Sequence, residues 1–239
     1  MSVKNSRIFL ETSFKKGELL PLGKEHAHYL RSVMRLQLGE NIIVFNGFDG
    51  EWKGIIEALS KKEICIRLQE QLKAQPKSQF LGLLFPPIRQ TRLDFMIEKA
   101  TELGVTDFFP VQTERTVISK INNDRLRKIA IEASEQSERL TIPAFHPLRP
   151  LRETLKDWNA TLPVIMAVER ETGEASDWSH SFLSGVAVLI GPEGGFSPQE
   201  KETIRQFNFI HRVSLGEMIL RTETAAIAAL SIANFTKFQ

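Results

Sequence analysis

The spacing of apolar residues changes character near residue 74. Before it the apolar runs are short and strand-like: Ile42-Ile43-Val44-Phe45, Trp52 to Leu59, and Glu63 to Leu68. Asn46-Gly47 and Asp49-Gly50 separate the first two, a strong hairpin signal. So many short strands close most naturally into a small β-barrel. One helix is predicted here, Glu25 to Leu36, presenting His28, Arg31 and Arg35. The polar stretch Lys73-Ala74-Gln75-Pro76-Lys77-Ser78 is the best boundary, giving domains 1–74 and 75–239.

From Gln79 onward strands alternate with helices, the sign of an α/β fold with a mainly parallel sheet. Phe80 to Phe85 is an apolar strand ended by Pro86-Pro87. Arg92 to Leu103 is helical, with Leu93, Met96, Ile97, Ala100 and Leu103 on one face and Gly104 suited to the cap. Phe108 to Val111 and Leu162 to Val168 read as strands, and Asp124 to Arg139 as a second amphipathic helix. The last helix, Thr222 to Phe235, is apolar nearly all round, so most of its sides must be covered.

Two loops stand out. Gly191-Pro192-Glu193-Gly194-Gly195-Phe196 follows the buried strand Val186 to Ile190. It precedes Ser197-Pro198-Gln199-Glu200, a cap serine, a first-turn proline and a glutamate at the capping-box position. Leu215-Gly216-Glu217-Met218-Ile219-Leu220-Arg221 likewise separates the strand Phe209 to Leu215 from the last helix. Open α/β sheets bind ligands at such strand ends. Neither loop matches the dinucleotide fingerprint or the phosphate loop. Glu193 would repel a phosphate, so a neutral or cationic adenosine ligand fits better. S-adenosylmethionine (SAM), a sulfonium without phosphate, is one. Backbone groups of Ile190, Gly191, Pro192, Gly194, Gly195, Leu215, Gly216 and Leu220 are its candidate contacts, with Ile219 and Leu220 flanking the adenine. Met166, Ala167, Val168 and Glu169 end the preceding strand and line the same pocket. A side chain placed at Gly194 is expected to fill it. The plain alternative is a tight turn with Ile219 and Leu220 as core residues.

Composition adds exclusions more than direction. Of 239 residues 42% are hydrophobic and 25% charged, as in globular proteins generally. No apolar run is long enough for a membrane span, and Met1-Ser2-Val3-Lys4-Asn5 lacks the core of a signal peptide, so a cytoplasmic location is expected. The single Cys65 builds neither a disulfide nor a zinc site, and His26 and His28 share no helix face, so no metal is expected. Net charge is only +2; residues 1–74 hold 12 Lys and Arg against 9 Asp and Glu, and the rest 19 against 20. That is a slight lean toward a basic N-terminal module.

Ile190 to Phe196 and Leu215 to Ala225 resemble the signatures of the RsmE family, within the SPOUT methyltransferase superfamily. Glu98-Lys99-Ala100-Thr101-Glu102-Leu103-Gly104-Val105 is similar to its K-x-T-E-L-G-V segment. Glu135-Gln136-Ser137-Glu138-Arg139 with Pro143 is similar to its E-Q-S-x-R…P segment. Arg7-Ile8-Phe9 and His28 through Arg35 resemble its R-x-F and H-x-x-x-V-x-R segments. The matches span nearly the whole chain in order. The resemblance implies a PUA-like N-terminal barrel and a SPOUT-type, trefoil-knotted sheet dimerising beside its last helix. It also implies methylation of N3 of a uridine in 16S ribosomal RNA, in the assembled 30S subunit, with SAM as donor.

Uracil N3 must lose a proton during such a transfer, so a base or an anion-stabilising group is expected near the donor loops. Arg221 is the leading candidate for holding the uracil oxygens, although a salt bridge to Glu193 or Glu223 would also explain it. Glu193 and Glu223 are candidate bases or orienting groups; Glu223 in a first helical turn also suits the dipole. Arg7, His28, Arg31 and Arg35 form the candidate RNA surface, extended by Arg89, Arg92, Lys99 and Arg139. Each arginine taken singly fits a solvated helix face as well. Which of Arg89 and Arg92 matches the family's substrate-side position stays open. Rival readings are a 2′-O-directed tRNA methyltransferase, a ribosome-assembly protein without catalysis, and an unrelated nucleotide-binding enzyme.

Overall fold

The computed structural model describes residues 6–60, 63–168 and 185–235. Glu169, expected at the end of a cleft-lining strand, lies outside the described residues. The chain forms two units: Met1–Lys77 with Ser134–Thr141, and Ser78–Ala133 with Ile142–Gln239.

The first unit is built on β1 (Arg7–Phe9), β2 (Leu19–Leu22), α1 (Lys24–His28), β3 (Asn41–Phe45), β4 (Glu51–Leu59) and β5 (Ile64–Lys73). The strands form one sheet in the order β1-β3-β4-β5-β2. Ile8 and Leu10 from one edge and Leu20 and Leu22 from the other enter the same core as Ile42, Val44, Ile56, Ile64 and Ile66. Both edges of the sheet therefore enclose one apolar centre, as a small barrel-like unit requires. The single helix expected over Glu25 to Leu36 is not continuous. After α1 the chain widens into a π turn over Tyr29–Val33, where the Met34 N–H donates to Tyr29 O at 3.0 Å. Arg35 then takes a left-handed φ of 57°, which ends the helix.

Arg7 corrects a second expectation. It was placed on an RNA-facing surface, yet it is 8% exposed. Its Nε donates to Glu51 Oε2 at 2.9 Å, and its two terminal nitrogens donate to Ser134 O at 2.8 Å and Arg139 O at 2.6 Å. The guanidinium lies 3.8 Å over the Phe45 ring. Each of its three nitrogens thus donates one hydrogen bond inside the unit, and little of the cation reaches solvent. Glu51 also accepts from Lys73 at 3.1 Å, and this hydrogen bond holds the Lys73 ammonium above its usual range.

The second unit runs β6 (Leu81–Phe85), α2 (Gln90–Glu102), β7 (Asp107–Gln112), α3 (Asn123–Gln136), β8 (Ala144–Phe145), β9 (Arg149–Pro150), α4 (Leu151–Lys156), β10 (Val164–Val168), β11 (Val186–Leu189), α5 (Pro198–Arg205), β12 (Ile210–Ser214) and α6 (Thr222–Phe235). The sheet order is β12-β10-β11-β6-β7-β8, with β9 beside β7, and every described pair is parallel. β6 and β11 are buried at every position, because helices cover both faces. Side chains alternate accordingly. Leu81, Leu83, Phe85, Val186 and Val188 join the core under α2, α3 and α6, while Leu84, Ala187 and Leu189 join the core under α4 and α5. β8, β9 and α4 had no counterpart in the sequence reading. α3 ends at Gln136 rather than Arg139, and its last residues belong to the first unit. On α6, Ala226, Ala229, Leu230 and Ala233 are buried, whereas Thr224 and Ser231 are exposed.

Removing Arg7 takes from the buried Glu51 its closest partner, leaving it only the half-exposed Lys73, and leaves the Ser134 and Arg139 carbonyls without the guanidinium. Arg7→Ala is therefore expected to lower stability by about 3–5 kcal/mol. Urea denaturation followed by circular dichroism measures this, and a loss below about 1 kcal/mol, the scale of a surface pair, would contradict it.

Candidate active site

In a parallel sheet the chain leaves every strand at the same edge. The ends of β10, β11 and β12 therefore open side by side. Met166–Val168, residues of the loop Ile190–Phe196 other than Gly194, and residues of Leu215–Thr222 other than Glu217 line a cleft of about 260 Å³, together with Lys201 and Ala225. Of the residues expected to bind a ligand there, Met166, Ala167, Val168, Ile190, Gly191, Pro192, Gly195, Leu215, Gly216, Ile219 and Leu220 line it, as do Glu193 and Arg221. Phe196, Lys201, Met218, Thr222 and Ala225 line it too and were not singled out from sequence. Phe196, Met218 and Ala225 are apolar, and such side chains carry no signal that separates a cleft wall from a core.

Gly194 is the exception. A Cβ there would meet the Arg115 side chain at 3.4 Å rather than the cleft, and Arg115 Nη1 donates to Gly194 O at 2.5 Å. The expectation that a side chain at Gly194 fills the pocket is thereby corrected, since this residue turns toward Arg115. Gly195 and Gly216 have φ of 66° and 111°, conformations that other residues rarely adopt, and no Cβ contact is the reason for either.

The loop after β11 is fixed from three directions. The capping box of α5 is complete: Ser197 Oγ accepts from the Glu200 N–H at 3.1 Å, and Glu200 Oε2 accepts from the Ser197 N–H at 2.9 Å. Glu200 Oε1 accepts from the Glu114 N–H at 2.9 Å, tying in the turn after β7. Thr222 Oγ1 donates to Gly191 O at 3.1 Å, joining the start of α6 to the first loop.

The charges are arranged differently from expectation. Arg221 is exposed at the cleft and is paired with neither glutamate among the described contacts. Arg92 of α2 takes that place: its Nη1 is 3.9 Å from Glu193 Oε1 and its Nε 3.7 Å from Glu223 Oε1. Glu223 is 8% exposed and does not itself line the cleft, although Thr222 and Ala225 beside it do. Arg92, expected to meet RNA phosphates, thus faces carboxylates.

The remaining RNA candidates divide. His28, Arg31 and Arg35 are exposed on the first unit, and Arg89 is exposed at the start of α2. Lys99 donates to Glu98 at 2.7 Å and Glu102 at 2.9 Å; these bonds answer its charge locally and raise its pKa. Arg139 Nε donates to Thr141 Oγ1 at 3.1 Å within the first unit. Among the described residues no cluster of three His, Cys, Asp or Glu could hold a metal, and no helix is long and apolar enough to cross a membrane.

The second unit, a parallel α/β sheet with glycine loops at its strand ends, is an RNA methyltransferase domain. Residues 75–234 match the RNA methyltransferase domain family, and residues 22–69 the RNA methyltransferase PUA domain family. The chain belongs to the ribosomal RNA small subunit methyltransferase E family. It is 35% identical to the Rickettsia conorii enzyme of that name over 96% of this chain and 95% of that one. It is 30% identical to the Bacillus subtilis enzyme, over 96% of each. A Neisseria gonorrhoeae ribosomal RNA small subunit methyltransferase E, solved bound to S-adenosyl methionine, superimposes with a TM-score of 0.85 at 29% identity over 95% of each chain.

Thr222→Val removes the bond between α6 and the first loop while keeping side-chain shape. It is expected to cost about 1 kcal/mol of unfolding free energy, with Thr222→Ser recovering most of it. Equal stability of wild type and Thr222→Val in urea denaturation would show that this bond does not hold the loop.

Proposed function

We propose that the protein transfers a methyl group from SAM to N3 of a uridine in 16S ribosomal RNA, acting in the cytoplasm on the assembled 30S subunit as a homodimer. The observation that carries this reading is the cleft where the ends of β10, β11 and β12 meet. Its walls suit the donor. Glycines permit close backbone approach, Met166, Ile190, Leu220 and Ala225 give apolar surface, and Glu193 places a carboxylate where a sulfonium is favoured and a phosphate is not. Ile190, Gly191, Gly195, Leu215, Gly216 and Leu220 would hold SAM, and Glu169 belongs to the same proposed set. When bound, SAM supplies an electrophilic methyl on a sulfonium whose C–S bond breaks with its electron pair left on sulfur.

Arg221 would hydrogen-bond the uracil oxygens and stabilise the imide anion formed as N3 loses its proton. Glu193 on the cleft wall and Glu223 next to that wall are the candidate bases or orienting groups. In the N-terminal domain, residues 1–74, His28, Arg31 and Arg35 would contact RNA phosphates, with Arg89 extending that role from the catalytic domain. Such contacts set position rather than sequence. The target base must leave its stack to reach the donor.

The test is transfer of labelled methyl from SAM to unmodified 30S subunits and to naked 16S RNA, followed by nucleoside analysis. 3-Methyluridine on the subunits is expected. Label at a ribose 2′-oxygen, or none despite SAM binding, would overturn the uracil reading. Arg221→Ala is expected to lower kcat about 100-fold or more while changing SAM affinity by less than about threefold, as calorimetry would show. Near-normal turnover would remove Arg221 from the chemistry.

A further inference from the structure

Glu223 carries an anomaly that the fold does not explain. Its Oε1 sits 3.7 Å from Arg92 Nε, while its Oε2 is buried and has no hydrogen-bond partner. Leaving a buried acceptor unmet costs about 1–3 kcal/mol, and natural structures do so seldom. The residue does not line the open cleft but lies in the first turn of α6 between Thr222 and Ala225, which do, so an entering base reaches it only as the Arg92 guanidinium beside it shifts. That turn is locked to the first loop through Gly191 O.

We infer that Glu223 is the proton acceptor of the methyl transfer and that Arg92 is the positioning residue that orients it. The inference rests on the uracil-N3 reading above. Uracil presents at N3 one N–H donor between two carbonyls, and a carboxylate oxygen lacking a donor is its complement. In the transfer the N3–H bond breaks and the proton passes to Glu223 Oε2. The electron pair left on N3 forms the new N–C bond. The negative carboxylate and the positive donor are both neutralised, so charge balances, and the carboxyl proton then returns to water.

The alternatives are weaker. The Glu193 side chain is 48% exposed, so water already meets its oxygens. Arg221 is a guanidinium and accepts no proton. Both Arg92 distances exceed hydrogen-bond reach, so its guanidinium can shift toward an entering base without breaking a hydrogen bond. The charged groups around Glu223 are Arg92 from α2, Glu193 beyond it, and Arg221 on its own segment. Further along α2, Asp94 is paired with Arg125, and Lys99 with Glu98 and Glu102. β11 brings no ionisable side chain.

The experiment compares single-turnover rates of wild type and Glu223→Gln on 30S subunits between about pH 7 and pH 9, with SAM affinity measured by calorimetry. Glutamine keeps the shape but cannot take the proton. The variant is expected to be at least about 100-fold slower at pH 7 and to bind SAM within about twofold of wild type. Its rate should climb up to about tenfold per pH unit as uracil ionises on its own, so its deficit shrinks. A loss of under about fivefold, or a deficit that does not change with pH, would overturn the assignment. If glutamine also weakens SAM binding, Glu223→Asp decides: a pH profile like that of wild type supports the assignment, and the steep glutamine-like profile overturns it. Absence of 3-methyluridine with wild type would instead overturn the uracil reading, and the inference with it.

Discussion

A sheet whose described strands all run parallel must release the chain at one edge after every strand. The rest of the catalytic unit depends on that constraint. β10, β11 and β12 are neighbours, so three unrelated stretches of sequence meet at their ends and make one cleft. The neighbouring strands β6 and β11 are apolar at nearly every position because both faces are covered. Polar function is thereby pushed out of the strands and into the loops. The loops then need anchoring of their own, which the capping box of α5 and the bond from Thr222 to Gly191 provide.

Electrostatics in the cleft follow from the same layering. α2 and α6 pack on one face of the sheet, which brings Arg92 beside Glu223 and, across the strand-end loop, beside Glu193. One cation is shared by two carboxylates, and neither contact is short. Such a cluster is less rigid than a bidentate pair, and its members can be re-partnered by an incoming polar molecule. Arg221, exposed at the same cleft, leaves a second guanidinium available to that molecule.

What the sequence disclosed, and what it did not, divides along the range of the interactions involved. The strand Val186–Leu189 and the helix opening at Pro198 were legible because their signals are local: a continuous apolar run, then cap, proline and glutamate within four positions. The two glycine loops were legible for the same reason, and most of the expected ligand-binding residues do line one cleft. Gly194 was misread because only the tertiary partner, Arg115, decides which way that residue turns. Arg92's carboxylate partners were not foreseen because Glu193 and Glu223 lie 101 and 131 positions away. β8 and β9 are two residues each, too short for any period to show. The early end of the first helix hangs on a left-handed Arg35, a conformation no local residue preference announces.

Arg7 shows how the order of synthesis enters. Two of its hydrogen bonds end on carbonyls of Ser134 and Arg139, which leave the ribosome long after β5 is complete. Until then the guanidinium has Glu51 but only part of its shell, and a cation half-provided for resists burial. The N-terminal unit is therefore one whose first strand can be drafted early but sealed only late. The nascent chain must carry an unfinished barrel past more than fifty further residues before its own helix end arrives to close it.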